Sequence, residues 1–387
     1  MTRRSQQQSS IVSADQYSLA PDINYLNHAS IGTVPVVVQR AHEAYLKLCE
    51  TNPWLYMWSE PWQEPREQVR QQVADLFQCD SNEVAITHNT TEVFNTIASG
   101  LPLGPGDEVL FSSLNHSGAS ICFAHRADEK GYSVRRFDFP VHDVPEMTPE
   151  DVVSVYADQI RPSTRVLAIP HIDNMIGLRH PLKMIAKAAH ERGVEWVVVD
   201  GAQTASMIPL DLAESGVDVY ATSAHKWIQS PKGLGLAYVR RDVQDVLSPL
   251  WVTWGQTRWK GTARIYEDYG TRALPAVLAM GDALTFQAMI PATERSAHHI
   301  SMWKEMQEIV DSTSKLEWRS SRNWEAGGAL YAVEVVGQPS SDVARHLFEE
   351  NGSIVRSFQT QGLNTIRISP NIMNSVEDLS QLVSAVL

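Results

Sequence analysis

The sequence predicts an α/β protein: a mostly parallel seven-stranded sheet with helices on both faces, followed by a smaller C-terminal α+β domain. Three observations predict it. From Val84 onward, short and nearly all-apolar runs alternate with stretches of helical spacing, the pattern of parallel strands buried on both faces. Beyond Arg240 that rhythm stops, and a loop rich in Gly and aromatic residues leads into a long apolar helix and a second, shorter set of elements. The length of 387 residues and a hydrophobic content of 43% allow a large core and more than one domain.

In order, residues 1–20 read as a flexible N-terminal tail. Its start, Met1–Ser10, is polar and lacks the apolar region of a signal peptide. Tyr25–Pro35 is a compact loop, and Pro35 opens a helix to about Cys49. Trp54, Trp58 and Trp62, expected to pack, precede a helix from Glu64 to Phe77. Strands are expected at Val84–Thr87, Glu108–Phe111, Ser133–Phe137, Arg165–Pro170, Glu195–Val199, Val217–Thr222 and Leu234–Val239. Helices fall between them at Thr91–Gly100, Gly118–Gly131, Glu150–Ile160 and Leu182–Arg192. A functional loop follows, from Trp251 to Thr271, then a helix from Leu274 to Met289. The last unit reads as helix Thr293–Ser312, strand Ala329–Val335, helix Ser341–Asn351, strand Thr365–Ser369 and helix Val376–Val386. The division expected is a large domain over 21–285 and a small one over 286–387.

Thirty-two basic against 45 acidic side chains give a net charge of −13, which argues against nucleic acid or an anionic membrane as a partner. No apolar run approaches the roughly 20 residues of a membrane span. Cys49, Cys79 and Cys122 have no paired spacing, so a disulfide framework and a zinc site are not expected and a reducing cytoplasm is the default. The histidines show no ligand spacing, and no metal is expected; His298 and His299 are adjacent on a helix and face different ways.

The polar residues of interest stand at the carboxyl ends of the predicted strands, where open α/β sheets bind ligands. Thr90 and Thr91 open a helix whose N–H groups favour a phosphate, though a plain helix cap accounts for them equally well. His116 could stack on a flat ring or be structural. Asp200 ends the run Val197-Val198-Val199, where an acid needs a positive partner. Lys226 follows the next strand, between His225 and Trp227. A carboxylate and a lysine so placed suit pyridoxal phosphate, which needs a lysine for its Schiff base and an acid for its ring nitrogen. Gln203 can reach a ring substituent, and Ser223 and His225 can donate to a phosphate.

These residues carry a resemblance. Asp200-Gly201-Ala202-Gln203, then Ser223-Ala224-His225-Lys226-Trp227, then Pro231-Lys232-Gly233-Leu234-Gly235, resemble the class V aminotransferase family of fold type I pyridoxal-phosphate enzymes, from about Tyr25 to the C-terminus. Tyr25–Gly32, Trp251–Gly255 and Tyr269–Arg272 look most like its isopenicillin-N-epimerase-like branch, which includes C–S lyases. The resemblance implies Lys226 as Schiff-base lysine and proton shuttle, Asp200 at the ring nitrogen, Gln203 and Asn174 near the phenolic oxygen, and His116 over the ring face. It implies Thr90, Thr91, Ser223 and His225 at the phosphate, joined by Thr271 from the partner of a homodimer. Arg367 would clamp the substrate carboxylate, a bidentate task suited to guanidinium, with Asn27 and His28 beside the substrate.

Two departures matter. Desulfurases of this family carry a nucleophilic cysteine shortly before the Arg-Ile-Ser strand, and Val355–Asn364 contains none. Asp173 stands where the family more often has serine or an apolar residue; it either contacts substrate or satisfies backbone donors. The reaction implied runs through an external aldimine and loss of the Cα proton of an amino acid or its conjugate. β-Elimination of a C–S bond leads, followed by epimerisation. The alternatives are amino transfer to a keto acid and a non-catalytic protein of this fold, which would have no need of Asp200, Lys226 and Arg367 together.

Overall fold

The computed structural model describes residues 10–54 and 62–386. Its thirteen strands, β1 to β13 in chain order, are Asn24–Tyr25, Val84–Thr87, Glu108–Ser112, Ser133–Phe137, Thr164–Pro170, Trp196–Asp200, Val219–Ser223, Gly235–Val239, Leu316–Trp318, Tyr331–Val335, Ser353–Ile354, Arg356–Thr360 and Leu363–Ile368. The central sheet has seven strands in the order β2-β8-β7-β6-β5-β3-β4, and only β8 runs against its neighbours. Each of the seven expected strands is present, displaced by no more than two residues at either end.

Side-chain alternation explains why these strands read as unbroken apolar runs. Leu110, Leu167, Val197, Val199, Tyr220 and Leu236 pack into a core on one face of the sheet. Val109, Val166, Ala168, Val198, Val219 and Ala237 pack into the core on the other. Ten helices matter to the architecture: α1 Val36–Thr51, α2 Gln63–Phe77, α3 Thr90–Gly100, α4 Ile121–Lys130, α5 Pro149–Ala157, α6 Leu182–His190, α7 Leu274–Ala288, α8 Ala292–Asp311, α9 Ser340–Asn351 and α10 Val376–Ser384. Their starts are chemically marked. Asn89 caps α3 through the Glu92 N–H, and capping boxes, Thr148 with Asp151 and Ser375 with Asp378, open α5 and α10. Between Trp251 and Thr271 the chain forms a short helix, Gly255–Arg258, and a 3-10 turn, Ala263–Tyr266.

The second unit is a four-stranded antiparallel sheet in the order β12-β13-β10-β9, with its own core from Met302, Trp303, Tyr331, Ile366, Leu379 and others. Chain division differs from expectation in two places. The boundary at 285/286 falls inside α7, and the chain turns at Met289–Pro291, where α7 and α8 meet at 78°. The segment after residue 20 belongs with the second unit: β1 pairs in parallel with β11, Leu26 joins the small core, and Asn27 bridges to Ser369. The expected flexible tail, 1–20, is described only from Ser10, and that part is tied down. The Ile11 and Val12 N–H groups donate to the Ile372 carbonyl, and buried Tyr17 donates to Gln229. Of the tryptophans expected to pack, Trp62 does so against Cys49, Leu274 and Leu278, Trp54 is largely exposed, and Trp58 lies outside the described residues.

One buried ion cluster anchors the 251–272 stretch to the large domain. Glu267 accepts from Arg70 at 2.7 and 2.8 Å and from the Ile86 N–H at 2.6 Å, and it pairs with Arg272 at 3.1 Å. Burial alone would raise the Glu267 pKa, but Arg70 and Arg272 hold it below the ordinary 4.5, at about 2. Its stabilisation is therefore complete above about pH 4.5 and is lost as pH falls through about 2. Glu267→Gln leaves two buried guanidinium groups short of their counter-charge and is expected to cost about 3–5 kcal/mol. Urea unfolding at pH 7 should show that loss, and the difference between wild type and variant should shrink as pH falls from 4 toward 2.

Candidate active site

The carboxyl ends of β5, β6 and β7, the start of α3 and the turn after β3 surround a cavity of about 300 Å³. Thr90, Thr91, His116, Asn174, Asp200, Gln203, Ser223, His225 and Lys226 line it, so nine of the thirteen residues singled out in the sequence meet in one place. The other four do not. Arg367 stands one side chain back, Asn27 bonds to Arg367, His28 is sealed in the interior, and Thr271 is exposed beside a separate cavity.

Lys226 sits in a tight turn after β7, its N–H 3.3 Å from the Ser223 carbonyl. The loop Asn27–Gly32 lies directly on this turn. The Gly32 N–H donates to the His225 carbonyl at 2.9 Å, and a Cβ at Gly32 would come within 1.9 Å of the Lys226 carbonyl oxygen. Only glycine fits there. Burial lowers the Lys226 pKa to about 8, with Arg367 adding to the effect and Asp200 opposing it. The neutral, nucleophilic amine is thus far more populated near neutral pH than at an ordinary lysine.

Asp200 ends β6 with one carboxylate oxygen accepting from the Ala202 N–H at 2.9 Å. The other has no partner among the described residues, and the residue borders the cavity. Gly201 lets β6 turn away at once, since a Cβ there would lie 2.1 Å from the Tyr220 ring. Gln203 is clamped between the Trp227 indole N–H, 2.8 Å from its Oε1, and the Ala29 carbonyl, which accepts from its Nε2 at 3.0 Å. At the other side of the cavity Thr90 and Ser223 share a hydroxyl hydrogen bond of 2.9 Å at the N-terminus of α3. Burial, with Lys226 adding, lowers the His225 pKa to about 4, and burial also lowers that of His116, so both rings are neutral. His116 accepts at Nδ1 from the Gly118 N–H, which fixes the ring.

Arg367 is 2% exposed, and among the described residues no carboxylate is bonded to it. Its Nη1 donates to the Asn174 carbonyl at 2.8 Å, and its Nη2 donates to Asn27 Oδ1 and Ser30 Oγ, each at 2.7 Å. Ser30 and Asn174 both line the cavity, so the guanidinium borders it through them. Burial pushes the Arg367 pKa down to about 9, with Arg356 adding and Asp173 opposing. The Phe358 ring stacks 5.5 Å away. Ser30 and Phe358 were not singled out from the sequence: Ser30 lay unremarked in the quoted loop, and Phe358 carried no signal.

Two expectations are resolved by contacts. His28, placed beside the substrate by the resemblance, is fully buried with neither ring nitrogen bonded, edge-on to Tyr25, and burial lowers its pKa to about 3. It does not line the cavity. The chain turns at Asn27, whose carbonyl accepts from the Ser30 N–H at 3.0 Å, so Asn27 meets Arg367 while His28, inside the turn, points into the interior. Asp173 accepts from the Met175, Ile176 and Leu178 N–H groups at 2.7–2.9 Å, the backbone role rather than a substrate contact. Burial nonetheless raises its pKa to about 6.

The cavity suits pyridoxal phosphate. One end offers a carboxylate oxygen without a partner, the other a helix N-terminus with hydroxyls, and between them stand a neutral imidazole and a depressed lysine. No grouping of three or more potential metal ligands occurs among the described residues. Capture of the aldehyde by apoenzyme should speed up with pH through about 8, the Lys226 value, rather than through 10.5. Stopped-flow absorbance checks this. Asn27→Ala removes one acceptor from Arg367 and should raise KM for a carboxylate substrate about tenfold with little change in kcat, as expected for a hydrogen bond to a charged group.

Comparison with known proteins agrees with the geometry. Residues 23–382 match the family model described as aminotransferase class-V. An isopenicillin N epimerase from Amycolatopsis lactamdurans is 31% identical over 71% of this chain and 71% of its own. A probable cysteine desulfurase from Methanothermobacter thermautotrophicus is 27% identical over 88% of this chain and 84% of its own. A cystine C–S lyase, solved with its product cysteine persulfide, superposes with a TM-score of 0.85 at 22% identity, over 95% of this chain and 98% of its own. The protein belongs to the class-V aminotransferase family and is a pyridoxal-phosphate-dependent enzyme of fold type I.

Proposed function

We propose that the enzyme cleaves the C–S bond of a cysteine-type amino acid or conjugate by β-elimination, with epimerisation at Cα as the neighbouring possibility. The observation that carries this is a cavity lined by Lys226 and no thiol, bordered through Ser30 and Asn174 by a buried arginine, Arg367, whose bonded acceptors are all neutral. Cys49, Cys79 and Cys122 are unpaired, none lines the cavity, and burial raises the pKa of each. The stretch that holds a nucleophilic cysteine in desulfurases is here β12, a two-residue turn at Gln361-Gly362, and β13. A persulfide-forming desulfurase reaction has no nucleophile in this cavity.

When bound, pyridoxal phosphate supplies an aldehyde for the substrate amine and a conjugated ring that takes up the electron pair left at Cα. The chain does the rest. Arg367 holds the carboxylate, so the amino acid enters in one orientation. Asp200 would hold the protonated ring nitrogen, and His116 would cover one face of the ring. Lys226 takes the Cα proton at Nζ. In elimination the Cβ–S bond then breaks with its electrons leaving on sulfur, and hydrolysis of the remainder gives pyruvate and ammonia. The net change consumes one water and releases one thiol. Elimination asks for no second base on the opposite face of Cα, and among the described residues Lys226 is the only lysine lining the cavity.

We also propose a homodimer that shares its sites. Thr271 is exposed and away from the Lys226 cavity of its own chain, on a stretch that presents Trp251, Val252 and Trp254 outward. A phosphate contact by Thr271 therefore requires a second copy. Three unpaired cysteines support a cytoplasmic setting. The test is incubation of purified holoenzyme with S-substituted cysteines, following pyruvate, ammonia and released thiol. Equal amounts of the three support lysis. Exchange with keto acids in their absence would sink it in favour of amino transfer, and racemised substrate alone would favour epimerisation.

A further inference from the structure

A second cavity, of about 400 Å³, lies apart from the Lys226 site and shares none of its lining residues. It opens between α2, the segment Ser206–Pro209, the end of α7 and the start of α8. Leu76, Ile208, Leu284 and Ile290 give it apolar walls. Its volume is in the range of small-molecule sites, about 300–1,000 Å³.

Arg295 forms part of the lining and is only 7% exposed. The acceptors bonded to it are all neutral. Its Nη1 donates to the Ser206 carbonyl at 2.9 Å and to Gln287 Oε1 at 2.5 Å, and its Nη2 donates to the Gln287 carbonyl at 2.7 Å. That is three of five N–H groups, and the Nε–H has no acceptor among the described residues. Tyr17, linked to Gln287 through Gln229, has its pKa raised to about 12 by burial and stays an uncharged phenol. Asp75, on the rim, is exposed and bonded to Gln71. The Ser206 hydroxyl is also buried without a partner, on a residue held at φ +67°.

A cation this deep ordinarily has an anion against it. Capping the last turn of α7 accounts for the bond to the Gln287 carbonyl. It does not account for a roomy apolar cavity beside the guanidinium, nor for two unused donors and an unused hydroxyl. We propose that this cavity binds a monocarboxylate with an apolar tail, its carboxylate on Arg295 and Ser206 and its tail along Leu76, Ile208, Leu284 and Ile290. The planar fork of the guanidinium matches a carboxylate, and the walls match an alkyl or aryl body.

The experiment is calorimetric titration of holoenzyme with sodium octanoate, with 1-octanol and sodium sulfate as controls. One octanoate per chain is expected, at least tenfold tighter than either control. Arg295→Met and, separately, Ala292→Trp, which fills the cavity from its exposed rim and keeps the guanidinium, should each weaken binding at least tenfold. Arg367→Gln should leave it unchanged, which separates this cavity from the substrate clamp. The proposal is overturned by no octanoate binding at millimolar concentration, by octanol or sulfate binding equally well, by loss of binding in Arg367→Gln, or by its persistence in Ala292→Trp. If Arg295→Met does not fold, Ala292→Trp alone decides.

Discussion

Arg367 has to stay charged in a place almost without water, and much of the site's architecture follows from meeting that condition with neutral acceptors. A carboxylate partner would pair off the charge and leave nothing for a substrate. Asn27, Ser30 and the Asn174 carbonyl orient the guanidinium without neutralising it. Those acceptors come from the N-terminal loop and from the turn after β5, so a side chain of the second unit is held by groups on two other, widely separated parts of the chain. Asp173, the nearest buried carboxyl on that turn, is occupied by three backbone N–H groups. It biases the field at Arg367 without bonding to it.

The same loop does a second job at Lys226. Gly32 lies on the lysine turn, Ala29 receives Gln203, and Ser30 reaches the arginine. One short loop therefore sets the distance between the Lys226 turn and the Arg367 guanidinium. Its glycine permits that closeness, and its hydrogen bonds to Ser369 tie the same loop to the end of β13. Rigid placement of this kind is what a single base acting at one carbon requires.

The central sheet was legible because burial on both faces writes its inner strands as nearly unbroken apolar runs, edge strand β4 with Arg135 and Arg136 being the exception. The cavity-lining residues were legible for a related reason: polar side chains at the ends of such runs have few purposes. What escaped was whatever depends on pairing across distance. β12 is polar and half-exposed, and β1 and β11 have two residues each, so none carries a pattern of its own. They exist as strands because a partner is present. Asn27 and Ser30 could be seen as a loop but not as ligands of Arg367, since 340 and 337 residues separate them. His28 was misplaced because the chain turns at Asn27, which separates neighbours in sequence. The buried role of Asp173 turned on a local turn geometry that its residue type alone does not reveal.

That long separation sets a timetable for the chain as it is made. Leu26 and Asn27 leave the ribosome early, yet the surfaces that receive them are among the last to be synthesised. At ordinary elongation rates the wait is on the order of 20–70 s. Over that interval an apolar residue destined for the small core remains in water, available to chaperones or to other nascent chains. The large sheet can assemble meanwhile from contacts of shorter span. The catalytic apparatus is thus completed in a final docking step, after most of the protein has folded, when the first strand finds the eleventh.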